Sequence, residues 1–200
     1  MLVIGLTGPS GAGKSTVSRL FASFGLPVLN ADEIYHALLI PPSECLGELT
    51  AYFGREILRP DGTLVRPALG RLVFDRPEEL ERLNAISHRH VLREVRRRLR
   101  TLRDEGTPAA VLDAPQLFES GADRDCNVIV SVLADAELRL HRILLRDGIS
   151  PEDAVRRIRA QKSDSFFRSH SDYIIENNGN AESLLPQVRA ILSETGVAPK

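Results

Sequence analysis

Apolar positions along this chain alternate between two spacings. Leu2-Val3-Ile4-Gly5-Leu6 is a continuous, partly β-branched apolar run, the pattern of a strand buried on both faces. Val17, Leu20, Phe21 and Phe24 then recur at i, i+3, i+4 and i+7 and predict one face of a helix. After Gly25 stops that helix, Pro27-Val28-Leu29-Asn30 predicts a second short strand. Asn30 or Asp32 can cap the next helix, residues 33–39, which Pro41-Pro42 ends. Further helices are expected over 43–53, over 67–74 and, opened by Pro77, over 77 to about 103, with a turn at Arg59-Pro60-Asp61-Gly62.

The strand spacing then returns. Ala109-Ala110-Val111-Leu112 reads as a third buried strand ending at Asp113, and residues 127–132 read as a fourth. A helix follows over 136–146, broken by Asp147-Gly148, and Ser150-Pro151-Glu152-Asp153 has the cap, proline and acids of a helix start. Tyr173-Ile174-Ile175 predicts a fifth strand and Asn177-Asn178-Gly179-Asn180 a loop. Leu184, Leu185, Val188, Ile191 and Leu192 mark the last helix, whose start near Ser183 is set by Pro186 in its first turn. Strand and helix alternate, so the fold class is α/β: five parallel strands with helices on both faces. Residues of about 33–95 interrupt the alternation with helix only and read as an insertion carrying a substrate site.

Composition narrows the class. The 200 residues suit one domain, residues 1–200, with room for a small insertion, and 42% hydrophobic content supplies a core without staples. A net charge of −1 argues against a general nucleic-acid or membrane binder. Cys45 and Cys126 are far apart and form no metal-ligand spacing, and His88 and His90 have no further ligands at such spacing. The first apolar run has no basic residue before it and is short for a secretory signal. No stretch reaches the ~18 apolar residues of a membrane span. A soluble cytoplasmic protein is expected; oligomeric state is left open.

Between the first strand and the first helix stands Gly8-Pro9-Ser10-Gly11-Ala12-Gly13-Lys14-Ser15, which fits G-x-x-x-x-G-K-[ST]. Glycines let the backbone turn N–H groups around a phosphate chain, Lys14 adds a point charge near the β- and γ-phosphates, and Ser15 offers a hydroxyl to Mg²⁺. The helix N-terminus adds partial positive charge. Lys14 is one of only three lysines in an arginine-rich chain, the others being Lys162 and Lys200, and a compact ammonium suits this cradle better than a guanidinium.

Ligands of such sheets collect at the carboxyl ends of strands. Asp113 ends the third strand, as does the acid that helps hold Mg²⁺ in many phosphate-loop enzymes. Asp32 follows the second strand and reads equally as a cap or a functional acid; Asn177 follows the fifth and, by position, reads as a turn residue. Arg139, Arg142 and Arg146 share one helix face, and Arg156, Arg157, Arg159 and Gln161 follow. A loose helical hairpin of this kind suits a lid in which at least one arginine grips phosphate. Arg89, Arg93, Arg96, Arg97 and Arg100 form a second stripe, read as a solvated face rather than an RNA surface.

With these residues in place, the chain resembles the dephospho-coenzyme A kinase family, from Ile4 to about Val188 and in the right order. Ile4-Gly5-Leu6-Thr7-Gly8 with Gly11-x-Gly13-Lys14-Ser15-Thr16 resembles the family's opening, and Asn30-Ala31-Asp32 its Asp-Ala-Asp. Leu83-Asn84-Ala85-Ile86-Ser87-His88 resembles its Leu-Asn-x-x-x-His helix. Asp113-Ala114-Pro115-Gln116-Leu117-Phe118-Glu119 resembles its Asp-x-Pro-Leu-Leu-Phe-Glu. Arg146-Asp147-Gly148 and Arg157-x-x-x-Gln161 resemble its lid, and Asn177-x-Gly179 its Asn-x-Gly. Departures are Asn30 for the first acid, Gln116 for leucine, Arg89 for the proline after the histidine, and Ser165-Phe166-Phe167-Arg168 in place of an acid–lysine pair.

The resemblance implies a phosphate-loop (P-loop) NTPase fold like that of nucleoside monophosphate kinases, with a helical acceptor-binding insertion at about 33–95 and a lid at about 146–170. It implies transfer of the γ-phosphate of ATP to the ribose 3′-hydroxyl of dephospho-coenzyme A, the last step of coenzyme A biosynthesis, with Mg²⁺ as cofactor. Under it, Gly8, Gly11, Ala12, Gly13, Lys14, Ser15 and Thr16 hold ATP, with Arg146 and with Asn177 near the adenine. Ser15 and Asp113 hold the metal, Lys14, Asp32 and Arg146 are catalytic, and Asp32, His88, Asp113 and Gln161 contact the acceptor side. The alternatives are another small-molecule kinase, such as a cytidylate-type enzyme whose loop is similar, or a nucleotide-binding switch.

Overall fold

In a computed structural model, residues 1–74 and 76–197 are described; Lys200 lies outside them. The chain divides into two compact units: residues 1–29 with 102–200, and residues 30–101.

The first unit is built on a five-stranded sheet of order β2-β3-β1-β4-β5. Its strands are β1 (Leu2–Thr7), β2 (Val28–Asn30), β3 (Ala109–Asp113), β4 (Val128–Leu133) and β5 (Tyr173–Glu176). β1 pairs in parallel with β3, Leu6 opposite Asp113, and with β4, Thr7 opposite Ser131; β4 pairs in parallel with β5. Alternate residues Ile4, Leu6, Val111, Val130, Val132 and Ile175 lie in one buried cluster, as the two-residue strand period requires. Covering them are Val17 and Phe21 of α1 (Lys14–Ser23) and Leu184, Val188, Ile191 and Leu192 of the last helix, Leu184–Glu194. From the other face, Gly5 meets the segment after β3: a Cβ there would lie 2.7 Å from Cys126 Sγ and 3.0 Å from Leu117 Cδ2.

The second unit is helical. Its members are α2 (Ala31–Leu38), α3 (Glu44–Phe53), α4 (Arg66–Val73) and α5 (Pro77–Asp104), which runs on into the first unit. Leu39, Cys45, Leu49, Phe53, Ile57, Leu69 and Ile86 form its core. Each start follows a local rule: Asn30 Oδ1 accepts from Asp32 N at 2.9 Å and Glu33 N at 3.1 Å, Ser43 Oγ accepts from Leu46 N, and α4 has proline in its first turn.

Three arginines of the α5 stripe, with the neighbouring Arg98, pair with carboxylates. Arg89 pairs with Glu48, Arg93 with Glu44, and Arg97 and Arg98 with Glu94. Buried His90 bridges the set, its Nε2 2.8 Å from Glu48 Oε2 and its Nδ1 3.0 Å from Arg93 Nη2. A neutral ring with the proton on Nε2 satisfies both contacts, donating to Glu48 and accepting from Arg93.

After β4 come α6 (Ala136–Asp147), closed by Gly148, and α7 (Pro151–Arg159), capped by Ser150. A short helix, α8 (Asp164–His170), was not expected from the sequence. Ser163 Oγ caps it by accepting from Phe166 N, and Phe167 is buried while Phe166 meets Phe118 edge-on at 5.2 Å. Seven residues with a single buried apolar position give no periodic signal, so packing rather than pattern forms this helix.

Candidate active site

The phosphate loop links β1 to α1 and its shape is enforced by its neighbours. Gly11, at φ +80°, packs so closely that a Cβ would lie 2.6 Å from Arg139 O. Gly13, at φ +94°, precedes α1, and a Cβ there would lie 2.0 Å from Asn177 Nδ2. Only glycine satisfies both the left-handed backbone and the close approach at these two positions.

The loop's carbonyls are held from outside. Arg139 Nε donates to Ser10 O at 3.2 Å, Arg142 Nη1 to Gly11 O at 3.3 Å, and Asn177 Nδ2 to Ala12 O at 2.7 Å. In a planar trans peptide the N–H of the next residue points opposite to the carbonyl. Directing these carbonyls outward therefore turns the amides of Gly11 and Gly13 the other way. The Ala12 amide instead closes a turn on Pro9 O at 3.2 Å. Lys14 and Ser15 open α1, where helix geometry leaves their amides without a preceding turn to accept them.

Lys14 Nζ is paired with the carboxylate of Asp113 at the end of β3. Asp113 is only 2% exposed and lies opposite Leu6 in the sheet register, so strand pairing carries it to the carboxyl end where the loop begins. Ser15 is exposed at the first turn of α1, and the Thr16 hydroxyl accepts from Arg19 Nη2 at 3.4 Å.

The three arginines of α6 divide their tasks. Arg139 is 4% exposed; burial pushes its pKa below the usual arginine range and Asp164 opposes that shift. Arg142 bridges the loop to Asn177, donating from Nη2 to the Asn177 carbonyl at 3.0 Å. Arg146 has a side chain 59% exposed. Its Nη2 donates to Ser10 Oγ at 3.2 Å, and Asp147 accepts from its Nε at 2.7 Å, which raises its pKa. Arg157 also pairs with Asp147. Arg146 is thus an accessible cation aimed along the loop by a carboxylate.

Two sequence-predicted residues have a different setting here. Asn177, expected beside adenine, is 6% exposed, and its amide nitrogen and carbonyl both support the loop. Gln161, expected toward the acceptor, has its amide oxygen on the loop: it accepts from Ser10 N and from Arg139 Nη2, each at 3.1 Å. Sequence reasoning passed over Arg139 and Arg142 individually; their i, i+3, i+7 spacing with Arg146 was the available signal. In the helical unit, Asp32 is exposed in the first turn of α2 with its own N–H bound to Asn30, and His88 is half-buried on α5.

Comparison with known proteins adds the family. The family model described as dephospho-CoA kinase matches residues 2–183. A dephospho-CoA kinase of Symbiobacterium thermophilum is 43% identical over 190 residues, covering 95% of this chain and 80% of that one. A solved structure, TT1252 from Thermus thermophilus, is 35% identical with a TM-score of 0.80, covering 96% of this chain and 97% of that one. The dephospho-CoA kinase from Campylobacter jejuni is 25% identical with a TM-score of 0.72, covering 96% of each chain. A phosphate loop backed by guanidinium donors, a lysine–aspartate pair at the carboxyl end of a parallel sheet, and these likenesses lead to one conclusion: the chain belongs to the dephospho-CoA kinase family and has its α/β phosphate-loop kinase fold.

Proposed function

We propose that this protein transfers the γ-phosphoryl group of ATP to the ribose 3′-hydroxyl of dephospho-coenzyme A, giving coenzyme A and ADP, as a cytoplasmic enzyme. The observation that carries the reading is the Lys14–Asp113 pair at the mouth of a loop whose Ser10, Gly11 and Ala12 carbonyls are held by Arg139, Arg142 and Asn177. Family membership supports the acceptor.

Phosphoryl transfer asks for positioning and charge neutralisation more than for covalent chemistry. The amides of Gly11, Gly13, Lys14 and Ser15 face the phosphates, with Gly8 and Thr16 framing the loop. Lys14 exchanges its partner Asp113 for phosphate oxygens when ATP enters, and Arg146 supplies charge to the transferring group. Asp32 orients the 3′-hydroxyl and accepts its proton as the oxygen–phosphorus bond forms and the bond to the β-phosphate oxygen breaks. The helical unit, with His88, holds the acceptor, and residues 146–170 act as the lid.

Mg²⁺ fits the donors present. In phosphate sites it takes one or two carboxylates, retains water and does not need a protein cage. The Ser15 hydroxyl and the Asp113 carboxylate would hold it, and among the described residues no three His, Cys, Asp or Glu side chains gather into a competing site. When bound it neutralises charge on the β- and γ-phosphate oxygens.

The test is ADP release with ATP and Mg²⁺ in the presence of dephospho-coenzyme A, cytidine monophosphate or no acceptor. Stimulation by dephospho-coenzyme A alone supports the reading. Stimulation by cytidine monophosphate, or ATP binding without stimulation by either, replaces it with a cytidylate-type kinase or a nucleotide switch.

A further inference from the structure

Ser10 of the phosphate loop has both its backbone carbonyl and its backbone amide bound by side chains. Its carbonyl accepts from Arg139 Nε at 3.2 Å, and its amide donates to Gln161 Oε1 at 3.1 Å. The same Gln161 oxygen accepts from Arg139 Nη2 at 3.1 Å, and Arg139 Nη1 donates to Asp164 Oδ1 at 3.1 Å. One guanidinium therefore reaches the carbonyl of Ser10 directly, its amide through Gln161, and the first residue of α8. It is 4% exposed, while Asp164 is about half open to water. Ser10 Oγ, carried by the peptide held in this way, is the atom to which the exposed Arg146 donates.

We propose that Arg139 is a positioning residue for ATP: it locks the Ser10 peptide in the phosphate-binding conformation and, through Ser10 Oγ, fixes the direction of Arg146. The planar fork explains why arginine serves here. Three acceptors lie around one guanidinium, and a lysine ammonium offers no fixed fork to meet them. A cation that only balanced charge would need Asp164 alone; the two contacts that converge on Ser10 have no such purpose. The role rests on the kinase reading above, and it predicts an effect confined to the nucleotide.

The experiment measures the Kd of ATP by calorimetry, without acceptor, and the KM of each substrate for the wild type, Arg139→Gln, Arg139→Lys, Gln161→Ala and Asp164→Asn. Hydrogen bonds to a charged group are worth about 1.5–3 kcal/mol, so Arg139→Gln should weaken ATP about tenfold or more. Arg139→Lys should recover only part of that loss, and Asp164→Asn should give a smaller loss in the same direction. Gln161→Ala combined with Arg139→Gln should cost little beyond Arg139→Gln alone, because both act on Ser10. The KM of dephospho-coenzyme A should stay within about twofold. Circular dichroism identifies any variant that fails to fold, and the partner variants Gln161→Ala and Asp164→Asn then carry the test. Folded variants that bind ATP like the wild type, or that lose both substrates equally, overturn the role. A wild type that binds ATP but does not phosphorylate dephospho-coenzyme A sinks the acceptor assignment instead, and the binding measurements still decide Arg139.

Discussion

Lys14 and Asp113 form a salt bridge although they stand 99 positions apart, one in the first turn of α1 and the other ending β3. Each has a second use in the proposed reaction, Lys14 on phosphate and Asp113 on metal. Breaking a buried pair by removing one partner costs more than removing both, because it strands the other charge. Lys14→Met should lose about 3 kcal/mol of stability, and Lys14→Met/Asp113→Asn should recover most of it while both remain inactive. Urea unfolding checks this; a double variant no more stable than the single one would show that the pair is not what holds Asp113.

Asp32 is exposed and its backbone, not its side chain, serves the helix cap. Asp32→Asn should therefore leave melting temperature and ATP affinity unchanged while lowering kcat by about 10²–10⁴-fold, the usual contribution of a general base. Steady-state kinetics with saturating ATP decide it, and a near-normal kcat removes Asp32 from the mechanism.

Asn30 stands where the family pattern has an acid, and its amide oxygen accepts from Asp32 N and Glu33 N. A carboxylate oxygen can make the same cap, so Asn30→Asp should be close to neutral in stability. Asn30→Ala should cost about 1 kcal/mol and lower turnover by loosening the turn that carries Asp32. Thermal melts and kcat measured on both variants separate the two effects.

Part of the acid sensitivity should arise on α5. Hydrogen bonding to Arg97, then to Arg98, holds the Glu94 carboxyl at about 2, well below its ordinary value of 4.5, although partial burial pulls the other way. The folded-state pKa is depressed, so the stabilisation is present above about 4.5 and disappears as pH falls toward about 2. Glu94→Gln should melt below the wild type at pH 7, and the gap should close between pH 4.5 and 2. A gap independent of pH would assign the effect to packing.

The strands were legible because burial on both faces writes a continuous apolar run, as in Leu2 to Leu6 and Ala109 to Leu112. Helix starts were legible where one residue carries the signal, as Ser43, Pro77 and Ser150 do. The helix Asp164–His170 was not, since its capping serine leads into a segment whose burial depends on Phe118, more than forty residues earlier. The site divides in the same way. Lys14, Ser15 and Asp113 could be named from motif and strand position alone, whereas the hydrogen bonds of the Asn177 and Gln161 side chains to the loop have no signature in local sequence.

The sequence by itself determined the alternation of strand and helix, the loop between β1 and α1, and the family, because each is written in local spacing or in ordered short motifs. Only the tertiary structure decided which of three equivalent-looking arginines does what. Arg139, Arg142 and Arg146 lie on one helix face, and the helical period cannot distinguish them. Their depth against the loop does: Arg139 is enclosed by Ser10, Gln161 and Asp164, Arg142 reaches between the loop and Asn177, and Arg146 extends past the loop into water. Burial makes Arg139 a fixed hydrogen-bonding fork, whereas Arg146 stays exposed beside Asp147, and burial is a property of the packed chain.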